Sequence, residues 1–220
     1  MAAIDYREAA RRLDLSERQV ERLVRAGELL KVHRGLVDET SLALHQARIR
    51  RRGRGWDEAT AWAAIAMLTG ERADWLGQTQ RSRLKRMLKQ LSAEDVVARA
   101  RNRAHVHRFG GLDSAIRRAT SEIIDAHAND AALGLTGSDR VDGYVAAANL
   151  PGLVRRLRLH EDLDGRLTLR ATAFDTDVVR SLAGHGHVVA AIDLAESTDP
   201  RERGAGRDAL AAALDGLRHG

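Results

Sequence analysis

The chain has 220 residues, of which 44% are apolar and 30% charged, which gives enough apolar material for a packed core and excludes wholesale disorder. It has no cysteine, so disulfides, a thiolate nucleophile and Cys-ligated zinc are all excluded. The net charge of +5 conceals a division: residues 1–118 hold 25 Lys and Arg against 15 Asp and Glu, a net of +10, while residues 119–220 hold 11 against 16, a net of −5. A basic half can condense onto phosphate by releasing counterions, whereas an acidic half is free to face a protein. No run of about 18 apolar residues occurs, and the start of the chain lacks the pattern of a secretory signal, so the expectation is a cytoplasmic protein with no membrane partner.

In chain order, Asp5 is placed to cap a helix from Tyr6 to Leu13, with Tyr6, Ala9, Ala10 and Leu13 at one-face spacing. Ser16-Glu17-Arg18-Gln19 is a capping box that opens a second helix, and Ala26-Gly27 closes it. At about 100° per residue, Val20, Leu23 and Val24 share one stripe of that helix and Arg18, Arg22 and Arg25 lie opposite. Outward guanidiniums can bridge guanine O6 and N7 or clamp phosphate. The following segment, Leu29 to Asp38, predicts a hairpin turning at His33-Arg34-Gly35, with Lys31, His33 and Arg34 at a basic tip. Asp38 then caps a third helix running through Leu42 and Ile49.

This order of elements resembles the excisionase and MerR type of winged helix-turn-helix. The residues that carry the likeness are "REAARRLDLSERQVERLVRAGEL", then the hairpin, then "GLVDETSLALHQARIRR". The resemblance implies binding to double-stranded DNA through Ser16, Arg18, Gln19, Arg22 and Arg25 on the second helix and Lys31, His33 and Arg34 on the wing. The long dimerisation helix and effector cysteines of many MerR proteins are missing, so metal sensing is not implied.

Arg48, Arg50, Arg51, Arg52 and Arg54 surround two glycines in "RIRRRGRG", a basic joint able to track phosphates. Asp57 caps the next helix, with Ala61, Trp62, Ile65 and Leu68 inward and Thr69-Gly70 at its end. A further helix carries Arg81, Arg83, Lys85, Arg86 and Lys89 opposite Leu84, Leu88 and Leu91; an ordinary solvated face is the competing reading.

From about residue 104 short strands alternate with helices. The strand candidates are Ala104–Phe109, Tyr144-Val145, "LRLHEDLDGRLTLRAT" with a turn at Asp162 to Gly165, and His187–Asp193; Asp199-Pro200 starts a final helix to about Leu217. The expected fold is α+β and helix-rich, in three parts: a winged helix-turn-helix at 1–52, a basic helical connector at 53–103, and a small α/β domain for dimerisation or partner binding at 104–220.

Catalytic signals are weak. His105 with His107, and His185 with His187, have strand-like spacing without the rest of a metal ligand set. Asp125 and His127 have no nucleophile or phosphate loop in register with them, and "LTGSDR" lacks phosphate-loop spacing. No catalytic residue, metal or cofactor is therefore expected. The amino-terminal winged helix-turn-helix pattern, together with "DGYVAAANLPGLVRRLRLHEDLDGRLTLRAT" and a final "AAIDLAESTDPRERGAGRDAL", resembles actinobacterial regulators of the AbiEi antitoxin type. That likeness implies an autorepressor that binds its own operator and acts as antitoxin to a nucleotidyltransferase toxin. The rival readings are an excisionase-like architectural factor and a nucleic-acid-modifying enzyme built on the carboxy-terminal half.

Overall fold

A computed structural model describes residues 3–13, 15–33, 35–43, 45, 55–126, 141–162, 164–197 and 199–220. The chain is α+β and divides into two compact units, residues 1–53 and 54–220.

In the first unit, β1 (Ala3–Asp5) leads into α1 (Tyr6–Leu13) and then α2 (Glu17–Arg25), followed by β2 (Lys31–His33) and β3 (Leu36–Asp38). Short helices are marginal alone, so their ends are fastened by side chains. The Asp5 carboxylate accepts from the Glu8 amide at 2.7 Å and fixes the start of α1. Before α2, Ser16 Oγ accepts from the Gln19 amide while Gln19 Oε1 accepts from the Ser16 amide at 2.8 Å, the reciprocal arrangement anticipated from the sequence. Gly27, at φ +70°, takes the left-handed turn that ends the helix. The Asp38 carboxylate accepts from the Ser41 amide at 2.8 Å and opens the helical residues 39–43 and 45. Ile49, expected to close this core, lies outside the described residues.

β3 is the central strand, antiparallel to β1 on one side and β2 on the other, with Ile4 opposite Val37. β1 was not anticipated; three residues are too few to display an alternating pattern. Ala9, Ala10, Val20, Leu29, Val37 and Leu42 form the buried centre, and Leu23 and Val24 pack against it.

The second unit opens with α3 (Glu58–Thr69), α4 (Gln78–Leu88), α5 (Ala93–Arg99) and a 3-10 turn at Ala100–Arg103. It continues through β4 (His105–Gly110), α6 (Asp113–Thr120), β5 (Ile124–Asp125), β6 (Val141–Ala146), α7 (Leu150–Leu157), β7 (His160–Glu161) and β8 (Leu167–Thr172). Three helices finish it: α8 (Thr176–Gly184), α9 (Val188–Ala195) and α10 (Pro200–His219). The strands form one sheet in the order β5-β6-β8-β4-β7, with β6 and β8 parallel and the other pairs antiparallel.

One sheet face carries Phe109, Val145, Leu167 and Leu169 and packs on α6 and α7 through Ala115, Ile116, Leu153 and Leu157. A second core joins Trp62, Ile65, Leu84 and Leu88 to Val179, Ile192, Leu210 and Leu214. Helices before residue 104 and helices after residue 175 thus bury the same apolar mass. The segment 53–103, expected as a separate connector, builds part of this core, and no boundary falls at 104.

One local expectation differs from the structure, and another gains a topology that the sequence does not display. The segment His187–Asp193, expected as a strand, belongs to helix α9 apart from His187 at its N-cap. Every residue from Val188 to Ala195 is buried, so no polar face interrupts the run to reveal its period, and the alanines favour a helix. The turn at Asp162 to Gly165 does form, with the Gly165 amide donating to the Asp162 carbonyl at 3.1 Å. Its flanking strands, however, pair on opposite sides of β4 and not with each other. Gly165 passes so close to β4 that an added Cβ would lie 2.2 Å from the Phe109 carbonyl oxygen, which explains the glycine at that crossing.

Candidate nucleic-acid interface

The core stripe of α2 determines which residues it offers outward. With Val20 fully buried and Leu23 and Val24 half-buried, Arg18, Arg22 and Arg25 are exposed on the other side. Local ion pairs then separate these cations. Arg25 is held by Glu21 at 2.7 Å across one helical turn. Arg18 and Arg22 make no ion pair or hydrogen bond among the described residues, and they stand four positions apart on one face. Neighbouring like charges at that spacing repel one another, a repulsion that an external anion would relieve.

Ser16 and Gln19, expected as contacts, spend their oxygens on the capping box. Gln19 keeps its amide NH2, and Ser16 stays exposed at the helix start beside the free backbone amides. Lys31 and His33 are exposed on β2. Arg34, Arg48, Arg50, Arg51, Arg52 and Arg54 lie outside the described residues.

Sequence reasoning overlooked the sorting of cations on α1. Arg11 pairs with Glu8, and Arg12 with both Glu8 and Glu39, which raises the Arg12 pKa above its already high ordinary value, Glu39 having the larger effect. Arg7 is exposed and unpaired among the described residues, and so is a further basic group available on this unit. The readable signal was Glu8 four residues before Arg12, a spacing that favours pairing.

In the second unit the residues considered for catalysis do not come together. Asp125, Gly143, Leu169 and His107 form one row across the sheet, so Asp125 and His107 are separated by three strand spacings, about 14 Å. His185 and His187 occupy the α8–α9 junction, and His127 lies outside the described residues. No cluster of three or more His, Asp or Glu able to hold a metal occurs among the described residues.

The chief polar assembly of this unit is buried. Arg103 Nε donates to the Tyr144 hydroxyl at 2.9 Å, and its terminal nitrogens pair with Asp193 and with Glu196, the latter at 2.7 Å. Arg170 grips Asp142 through two bonds of 2.8 and 2.9 Å and reaches Glu196 at 3.2 Å. Two guanidiniums are thereby matched with three carboxylates between the sheet, the 3-10 turn and α9. Such an assembly fastens elements together, and burial keeps Arg103, Tyr144 and Asp193 away from solutes. The sequence signal for it was Asp193 alone inside an apolar run, because a lone buried carboxylate demands a partner.

No family model matches the chain, and neither a curated protein nor a solved structure matches it.

Proposed function

We propose that the first unit is a winged helix-turn-helix that binds double-stranded DNA with sequence preference, and that the protein is a transcriptional regulator. The observation that carries this reading is the Arg18–Arg22 pair, exposed and unneutralised on a short helix whose register is held by Val20 and whose start is held by Ser16 and Gln19. A helix of that size fits the major groove, where an arginine can take both acceptors of one guanine. Lys31 and His33 on the adjoining hairpin supply contacts to the sugar-phosphate backbone. One such module reads few base pairs, so useful affinity calls for two half-sites read by a homodimer or for further basic surface. The sequence resemblance extends the reading to an autorepressor whose second unit binds a nucleotidyltransferase toxin; the DNA contact does not depend on that extension.

The test is selection of a preferred duplex from a random pool, followed by titration of variants against it. Arg22→Ala should weaken binding about 5- to 150-fold and relax preference at one base position. Ser16→Ala should lower stability by about 1 kcal/mol and leave base preference intact. Failure to enrich any sequence, or wild-type affinity in an Arg18→Gln/Arg22→Gln variant, rejects the assignment.

A further inference from the structure

The second unit carries a basic helix that the α2 interface leaves unused. From Trp75 to Ala93 the chain contains Arg81, Arg83, Lys85, Arg86 and Lys89 and not one Asp or Glu. α4 occupies most of this stretch, and its register is fixed because Leu84 and Leu88 are buried in the core. Thr79, Ser82, Arg83 and Arg86 consequently lie on the opposite face, and all four are exposed.

Pairing again separates the cations. Arg81 is held by Asp74, and Lys89 Nζ lies 3.5 Å from the Arg218 carbonyl oxygen. Arg83, Lys85 and Arg86 are exposed and make no ion pair or hydrogen bond among the described residues. A helix face that serves only solubility mixes the two signs. α10 of the same unit does so, with Arg201, Arg203, Arg207 and Arg218 among Glu202, Asp208 and Asp215. On α4 the cations lack that compensation, and Arg83 and Arg86, three positions apart, repel each other until a polyanion is supplied.

We propose that α4 is a second docking surface for double-stranded DNA, one that holds phosphates without reading bases. The stripe from Thr79 to Arg86 rises about 10 Å along the helix, a length that meets roughly three successive phosphates of one strand. It presents hydroxyl donors beside guanidiniums, the mixture that phosphate contacts use. An anionic membrane is the poorer match, because the apolar side of α4 is spent on the core and Met87, 37% exposed, is the one large apolar side chain it turns outward. The choice of a duplex over an acidic protein rests on the reading of the first unit as DNA-binding. Function then divides between the units: α2 discriminates sequences, while α4 adds affinity that salt removes.

The experiment uses the full chain with Arg83→Gln/Lys85→Gln/Arg86→Gln, and in parallel Arg18→Gln/Arg22→Gln. Binding is titrated over a range of KCl against a random-sequence duplex and against the duplex selected above. The α4 variant should bind the random duplex about tenfold more weakly at low salt, and its slope of log affinity on log salt should be shallower by up to about 3. Its preference for the selected over the random duplex should persist. The α2 variant should lose that preference and keep the α4-dependent part of the slope.

A charge-preserving Arg83→Lys/Arg86→Lys variant should keep the wild-type slope, which separates lost charge from damaged packing. If no preferred duplex exists but the slope still depends on α4, the sequence-reading proposal fails and this one stands. Unchanged slope and affinity in the α4 variant would overturn it. So would α4-dependent binding to phosphatidylglycerol–phosphatidylcholine vesicles without any to the duplex.

Discussion

Arg103 donates from Nε to the Tyr144 hydroxyl at 2.9 Å, and that hydroxyl donates in turn to Asp193 Oδ1 at 2.8 Å. The three residues come from the 3-10 turn, the sheet and α9, and the side chains of Arg103 and Asp193 are 2% and 0% exposed. A charge carried that far from water is stable only while its partner is present, because desolvation removes the hydration that would otherwise compensate.

The two residues should therefore respond very differently to substitution. Arg103→Met takes from Asp193 the shorter of its two ion pairs, leaving only Arg170 Nε at 3.4 Å from Oδ2, and should cost about 3–5 kcal/mol. Tyr144→Phe removes one hydroxyl from the chain of bonds while both charges stay paired, and should cost about 1–2 kcal/mol. Urea denaturation of the full chain reads both values. An Arg103→Met cost below that of Tyr144→Phe would show that the assembly does not hold the unit together by its ion pairs.

Tyr144 also sets an alkaline limit on stability. Burial pushes its phenol well above the ordinary value of 10, and this outweighs the opposing pull of Arg103. Above about pH 10 the unfolded chain releases this proton while the folded chain retains it, so the folded state binds more protons and loses stability as pH rises, by about 1.4 kcal/mol per pH unit. Below the unfolded value the contribution is fully present. Tyr144→Phe lacks the proton, so the gap between wild type and variant should narrow above about pH 10. Parallel stability curves for the two proteins through that range would refute the linkage.

What was legible in the sequence was local. Asp5, Ser16, Asp57 and Asp199 announce helix starts because a short polar side chain can reach the amides of the next turn, and each does so here. The outward face of α2 followed from the spacing of Val20, Leu23 and Val24. Which of its arginines remain free followed only in part: Glu21 stands four residues before Arg25, the spacing that favours pairing, but also three after Arg18, and the structure shows it turned to Arg25. Strand order was hidden for a different reason: β4 inserts between β7 and β8, which are nearly consecutive in the chain, and nothing local records a partner some 50 residues earlier. The Arg103–Asp193 pair spans 90 residues and was equally out of reach. The acid-free stretch around α4 was visible as composition, but only burial of Leu84 and Leu88 fixes which of its cations face solvent.

The glycines of α10 offer a test in which two physical effects have opposite sign. Helix propensity alone predicts that alanine stabilises a helix relative to glycine by about 1 kcal/mol. Gly204 and Gly216 have open space where a Cβ would be added, so Gly204→Ala and Gly216→Ala should each gain about 0.5–1 kcal/mol. Gly206 lies where α10 crosses α9, and a Cβ there would sit 2.5 Å from both the Ala191 carbonyl oxygen and the Ala195 amide nitrogen. Backbone atoms cannot swing aside as a side chain can, so the helices must separate, and Ile192, Leu210 and Leu214 lose contact in the shared core. Gly206→Ala should accordingly cost about 1–3 kcal/mol net of its propensity gain. Thermal or urea denaturation of the three single variants decides the matter: a stabilised Gly206→Ala protein would mean that α9 and α10 do not approach this closely in solution.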